Sequence, residues 1–447
     1  MRVRVTSIAI VAALAATTFL LGALRPGSAV DRRLEDRPPA VSDVGSGFAP
    51  APSVGSLDAT IASLEERLDR VPGDWRAAAA LGIAHVQRAR ITSDPYAYPA
   101  AEASLVRSLD LRPEGNVEAL VGLGTLAAAR HDFAAALSWG RRAVRTAPFD
   151  ADAYGMLGDA QLELGRYAAA FRSFQRMVDT RPDLASYARV SYAMELQGRT
   201  DAAIEAMRAA HDVAAGPADA AWAAAHVGKL HFERGRLRES AVWFRRARAA
   251  DPGSIDAEAG LALVAWATGD LGKAIAGYER VVTRVPSPEH VGVLGDLYAA
   301  AGDRGAAAEC YALVRAEARL FRANGVDVDL ELALFEADHP AGGSARAALR
   351  AARAEWHRRT SVHVADAYAW ALYANGRYRA AAEIAARALR LGTRNAAFLF
   401  HAGMIELRLG HEPAARGLLR DAFDTNPFFS VRWSPMLRST LASLGSP

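Results

Sequence analysis

The sequence predicts an all-α fold, an array of stacked helix pairs, on three observations. A Leu-Gly pair returns about every 34 residues, the length of a helix–turn–helix unit. It stands at Leu81-Gly82, Leu123-Gly124, Leu157-Gly158 and Leu294-Gly295, with weaker forms at Val227-Gly228, Leu261-Ala262 and Ala402-Gly403. A proline closes many of the units, at Pro113, Pro148, Pro182, Pro252, Pro286 and Pro427. Between pair and proline, small, large and small residues follow one another at helical spacing. A unit of this size cannot bury its own apolar face and must stack on its neighbours.

Composition agrees. The chain has 447 residues, 51% hydrophobic but only 8% aromatic, which reflects an alanine excess suited to closely packed helices. Net charge is +3. Lys229 and Lys273 are the only lysines, and the arginines are spread along second helices, as in Arg141, Arg142, Arg145, Arg245, Arg246, Arg350 and Arg353. That distribution is a solvated outer face and argues against a nucleic-acid stripe. Cys310 is the only cysteine, which excludes an intrachain disulfide, and it is expected to be buried as a small hydrophobe.

The N-terminus carries a membrane signal. Arg2 and Arg4 precede an uncharged run from Val5 to Leu24. As a helix, about 20 residues span about 30 Å, the thickness of a bilayer core. Residues 1–24 are therefore expected to be an uncleaved anchor, with the repeats outside the cytoplasm. Small residues near Gly27 and Ala29 leave the alternative of a cleaved signal peptide and a secreted chain. Residues 25–56, with Pro26, Pro38, Pro39, Pro50 and Pro52, read as a disordered tether.

The array is expected over residues 57–427. Leu57, Ile61, Leu64 and Leu68 make one stripe that ends at Pro72, a lone second helix capping the start. A long loop is expected from Arg88 to Pro99. The following units are cleaner, above all the one with Tyr154, Leu157, Gly158, Gly165, Tyr167, Ala170, Phe174 and Pro182. There Gly158 and Ala170 let two backbones approach, Phe174 fills the gap to the neighbour, and Gly165 ends the first helix. Residues 315–329 lack the pair and predict a helix extension followed by a break. Ser344 is expected to cap a helix, as is Ser434 with Pro435 after it. Residues 428–447 then form a capping helix through Leu437, Leu441 and Leu444, with Phe428, Phe429 and Trp433 packed beneath it.

These residues resemble the tetratricopeptide repeat family, whose pattern is W-x2-L-G-x2-Y, then A-x3-F, then P. The resemblance covers nearly everything from residue 57 to 427 in nine or ten units, although tryptophan is seldom where the pattern has it. It implies a right-handed α-solenoid that works as a non-catalytic interaction scaffold through its concave groove.

In such a solenoid the first helices line the groove. Their inward positions give Tyr192, Trp222, Lys229, Phe232, Trp266, Asp296, Asp366, Trp370, Tyr373 and Phe400 as partner-binding candidates. Aromatic anchors with scattered acids suit an apolar peptide segment. The carboxylate clamp of some family members needs several cations, and only Lys229 fits it. An alternative is a glycan or small ligand held by Trp222, Trp266 and Trp370. No histidine pair has metal-ligand spacing, and Gly342-Gly343-Ser344 is too short for a phosphate loop and follows no strand. The expectation is therefore no catalytic residues, no metal and no cofactor. The partner is a protein or peptide, the N-terminal helix engages a membrane, and no nucleic acid is bound. Because both ends look capped, the chain is expected to be a monomer.

Overall fold

The computed structural model describes residues 54–92, 96–339 and 343–445. The expected anchor at 1–24 and nearly all of the tether at 25–56 lie outside the described residues. Among the described residues the regular elements are all helices, and none is long and apolar enough to cross a membrane.

A lone helix α1 (Val54–Arg70) precedes ten hairpins. The first five are α2 (Trp75–Thr92) with α3 (Ala97–Leu111), α4 (Val117–Ala129) with α5 (Phe133–Thr146), α6 (Ala151–Glu163) with α7 (Tyr167–Thr180), α8 (Leu184–Leu196) with α9 (Thr200–Asp212), and α10 (Pro217–Phe232) with α11 (Leu237–Ala250). The second five are α12 (Ile255–Ala267) with α13 (Leu271–Arg284), α14 (Pro288–Ala300) with α15 (Arg304–Ala323), α16 (Asp329–Asp338) with α17 (Ser344–Arg358), α18 (Val362–Ala374) with α19 (Tyr378–Ala388), and α20 (Ala396–Arg408) with α21 (Glu412–Thr425). Helix α22 (Ser434–Ser443) follows the last hairpin.

The two helices of a hairpin have different chemistry. Second helices are amphipathic and bury one stripe, in α7 Tyr167, Ala170, Ser173, Phe174 and Met177. First helices are buried nearly all round, as in α6 and α18, and form the inner layer. Side chains of Asp132, Asp150, Asp183, Asp270 and Asp303 accept backbone N–H groups at helix starts. Gly158 is required by packing, since a Cβ there would lie 2.4 Å from the Phe174 ring. From the α4–α5 turn onward, each turn between the helices of a hairpin holds one left-handed residue. Glycine supplies it at Gly165, Gly198, Gly235, Gly269, Gly302, Gly343, Gly376 and Gly410, while in the α4–α5 turn His131 takes that conformation at φ 62°.

The array then returns on itself. Residues about 196 apart in sequence meet along a seam, where the loops between later hairpins rest on the turns within earlier ones. His131 Nδ1 bonds the Asp327 carbonyl across it. The Val362 N–H donates to the Tyr167 hydroxyl at 2.7 Å, and the Thr393 hydroxyl donates to the Leu196 carbonyl at 2.5 Å. At its centre Arg359 is buried between Glu163 of the first turn and Glu355 of α17, with its guanidinium 4.6 Å from the Phe133 ring centre.

The expected break falls where this return begins. Helix α15 has 20 residues against 14 in α13, so the expected extension is present. Its end carries Ala318 and Phe321, and the following loop carries Val326 and Val328, into one apolar cluster with Leu123, Leu126 and Ala129 of α4. The break is thus the ramp onto the second turn.

Three local expectations are corrected. The Arg88–Pro99 stretch is no long loop, because α2 runs to Thr92 and α3 starts at Ala97. Pro99 is tolerated in the first turn of α3, where its missing N–H has no intrahelical partner to lose. The residue capping α17 is Gly343, at φ 87°, and Ser344 is already helical. Trp433 occupies the cap position of α22, and the Ser434 hydroxyl instead accepts the Ser430 N–H. Cys310 is half-buried, and burial pushes its thiol up to about 11.

Candidate functional site

The inner layer of α8, α10, α12, α14 and α16 encloses a lumen, closed on the far side by the starts of α18 and α20. It holds two adjoining cavities of about 460 and about 360 Å³, which share Glu195, Lys229, Glu233, Glu289 and Asn395 as walls. The first adds Tyr192, Asp296, Glu331, Phe335 and His363, and the second Trp222, His226, Phe232, Asp256 and Tyr278. The wall is therefore acidic and aromatic, with Lys229 near its middle.

Helical spacing places these groups. On α10, Trp222, His226, Lys229 and Glu233 are three or four residues apart, so they stack along one inward stripe. The Lys229 side chain is 54% exposed, and its exposure is to the lumen rather than to the outer surface, with Glu233 at 3.9 Å. Burial opposes its charge, yet Glu233, Glu289, Glu195 and Asp256 hold its ammonium above the usual range. The carboxylates shift in turn. Burial, aided by Glu233, pushes Glu195 up to about 8, and burial pushes Glu331 up to about 7. Burial lowers His226 and His363 to about 4 and keeps both neutral. His226 packs on Trp222 with ring centres 3.9 Å apart, and His363 Nε2 lies 3.1 Å from the Tyr192 hydroxyl.

Of the candidates read from the sequence, the structure brings Tyr192, Trp222, Lys229, Phe232 and Asp296 to this lumen. The other five are packed instead. Phe400 is fully buried and Trp370 is 2% exposed. Tyr373 stacks on Trp370 at 4.5 Å, Asp366 is bonded to His401 at 3.0 Å, and Trp266 meets Phe428 edge to face. The physical reason is a segment of the chain itself. Residues Phe428 to Trp433 cross the interior between the two sides of the superhelix. Arg432 lies 3.8 Å from Asp296, and the Trp433 indole N–H donates to Asp338 at 2.9 Å. Trp433 is edge to face with Trp370, and Phe429 is 5.4 Å from Phe400. The aromatics expected beneath the terminal helix thus reach further: Phe428 meets Trp266 of α12, and the neighbouring Arg432 meets Asp296 of α14.

Glu195, Glu233, Glu289, Glu331 and Asp338 also line the lumen and are not among those candidates. One signal could have found Glu233, its spacing four residues after Lys229. Asp327, Asp329 and Glu355 lie close enough to share a cation, and the Arg358 guanidinium already bonds all three at 2.6 Å.

Stacked hairpins around a lined interior define a helical-repeat protein of the solenoid class. The repeat is specific: the tetratricopeptide repeat model matches residues 97–151, 141–185, 228–289 and 367–428, just under half of the chain. These segments are tetratricopeptide repeats. No curated protein matches the sequence. Among solved structures, similarity extends to a tetratricopeptide repeat protein from Parabacteroides merdae, at 18% identity and TM-score 0.41 over 54% of this chain and 95% of that one. PilW, a widely conserved type IV pilus biogenesis factor, is 19% identical with TM-score 0.38, over 45% of this chain and 92% of that one. The Cut9–Hcn1 hetero-tetramer of APC/C gives 13% and 0.38 over 88% and 94%. At TM-scores of this size none superposes as a whole, and none speaks to the partner of this chain.

Proposed function

We propose that this chain is a non-catalytic scaffold that holds a segment of a partner protein in its lumen. The N-terminal apolar run tethers it to a membrane with the repeats outside the cytoplasm, in envelope assembly or secretion. The observation that carries the reading is Lys229, an ammonium half-exposed inside an enclosed acidic and aromatic wall. Trp222 and Phe232 offer aromatic anchors, and the acids and Lys229 offer charge-assisted hydrogen bonds to peptide groups. Raised carboxyls around an ammonium held protonated fit recognition better than turnover. The glycan reading is weaker, because of its three tryptophans only Trp222 lines either of these two cavities.

The test is crosslinking and recovery of partners from membranes carrying the full chain, with Lys229→Glu and Phe232→Ala against wild type. The expected result is a partner recovered by wild type and lost with both variants while helicity is unchanged. A partner that both variants retain would place recognition elsewhere.

A further inference from the structure

We propose that the protein stacks head to tail on a second copy of itself, the loop edge of one copy seating on the turn edge of the next.

The chain already makes this contact once, internally. Because successive helices alternate in direction, all turns within hairpins lie on one edge of the array and all loops between hairpins on the other. At the seam a loop edge sits on a turn edge. A Cβ built on Gly165 would lie 2.7 Å from the Thr360 carbonyl, and one on Gly198 would lie 2.2 Å from the Gly392 carbonyl. On Gly235 it would lie 3.2 Å from Pro427. Each turn is thus covered by the loop that follows the fifth hairpin after it.

The same two edges are left open at the two ends of the superhelix. The next five turns are at Gly269, Gly302, Gly343, Gly376 and Gly410. A Cβ on any of them would meet nothing within 4 Å among the described residues. At the other end, six loops follow α1, α3, α5, α7, α9 and α11 with no turn of an earlier hairpin beneath them among the described residues. Four of these six carry an exposed large apolar residue: Val71 at 50%, Leu111 at 42%, Phe149 at 80% and Val213 at 46%. They account for half of the exposed large apolar side chains, and exposed apolar groups placed in a row mark contact surfaces more often than scattered ones do.

The internal spacing of five hairpins fixes the register, with five of the six loops meeting the five uncovered turns. Continuing the internal spacing puts the Val71 loop on Gly269, the Leu111 loop on Gly302, the Phe149 loop on Gly343, the next loop on Gly376 and the Val213 loop on Gly410. The occupant is a second copy because the mating edge is one this chain already recognises. Such a contact joins unlike surfaces, so it extends by repetition instead of closing into a symmetric dimer. The expectation of a monomer rested on capped ends, whereas it is the edges that remain uncovered.

The test uses the full chain in detergent with Cys310→Ser throughout. One tagged chain carries Leu111→Cys and a differently tagged chain carries Ala301→Cys, beside Gly302; both positions are exposed, and Ala301 caps the end of α14 through its backbone N–H alone, which the substitution keeps. Oxidation of the mixture is expected to give the mixed-tag disulfide. Its yield should exceed by roughly tenfold that of Leu111→Cys with Val242→Cys, which is 41% exposed on α11 and lies on neither edge. Adding Phe149→Asp should lower the yield by about tenfold or more, the loss expected for one exposed aromatic that is buried on association. Circular dichroism of each chain checks that it is folded. A dominant Leu111→Cys self-product would mean that loop edges meet each other, and would overturn the proposal. No product up to about 100 µM, or crosslinking of the Leu111 edge to a photoactivatable lipid in its place, would overturn it as well.

Discussion

Replacing Arg359 with methionine removes the cation that bridges Glu163 and Glu355 at the centre of the seam; Glu355 keeps Arg358, while Glu163 loses its cation. The side chains of Arg359, Glu163 and Glu355 are 1%, 4% and 1% exposed, so water cannot take over the lost pairing. Removing one partner of a buried pair costs about 3–5 kcal/mol, because a charge is left uncompensated in a poorly solvated place. Burial already holds Glu163 above the usual carboxylate range against the pull of Arg359, and without the cation that value rises further. A carboxyl raised in the folded state contributes fully below its unfolded value of about 4.3 and loses that contribution as pH rises through the folded value. The deficit of Arg359→Met is therefore large at pH 7.5 and shrinks toward pH 5. A long array need not unfold in one step, so the primary assay is local. Hydrogen exchange at the Val362 N–H, bonded to the Tyr167 hydroxyl across the seam, reads its opening. Exchange there should accelerate at least 100-fold at pH 7.5, about 3 kcal/mol of lost protection. The triple variant with Glu163→Gln and Glu355→Gln, which removes the two carboxylates bonded to Arg359, should recover most of it. Unchanged protection at Val362 in Arg359→Met at pH 7.5 would refute the assignment of the triad as the bolt.

Three further outcomes follow from the packing. Glu317 is 1% exposed, neither of its oxygens finds a partner among the described residues, and burial pushes it up to about 8. Its contribution is intact below about pH 4.3 and declines by about 1.4 kcal/mol per unit up to the folded value, on the order of 3 kcal/mol by pH 7. Glu317→Gln should flatten the fall in urea midpoint between pH 5 and pH 8. Gly260→Ala puts a methyl 2.2 Å from the Phe244 ring and should cost about 1–3 kcal/mol, read as a lower thermal midpoint with unchanged helicity. Burial opposes the charge of His401, but Asp366 at 3.0 Å holds it above its ordinary value, so the pair stabilises below about pH 6.5 and that support is lost as pH rises through the folded value. In Asp366→Asn the His401 imidazole should titrate below wild type by NMR, and the pH dependence tied to it should disappear.

The sequence carried the repeat because each unit is governed by local physics. Gly158 against Phe174, the left-handed Gly165 and the capping aspartates act within one hairpin or its neighbour, and all were readable or have readable signals. Helical spacing also told which side of a helix faces inward, and so it found Lys229, Trp222 and Phe232. It could not tell what else would come to cover that side. Trp370 and Phe400 occupy equivalent inward positions, yet Phe429 and Trp433 lie on them. The seam was illegible for the same reason. Arg359 looks like any arginine at the end of a second helix, and only the return of the chain after about 196 residues buries it beside Glu163.

That return constrains the gene as well as the molecule. In an open array each unit touches only its neighbours, so the gain or loss of one hairpin is a local event. Here an in-frame duplication of a hairpin between Gly198 and Asp327 would slide every later loop by one position. Thr360 would no longer reach Gly165, and Arg359 would face a turn that offers no carboxylate in place of Glu163. Lengthening can be tolerated at either extremity, while the interior must keep its unit count. Descent with a fixed number of hairpins between His131 and Asp327 is the trace such a locked superhelix would leave among related chains.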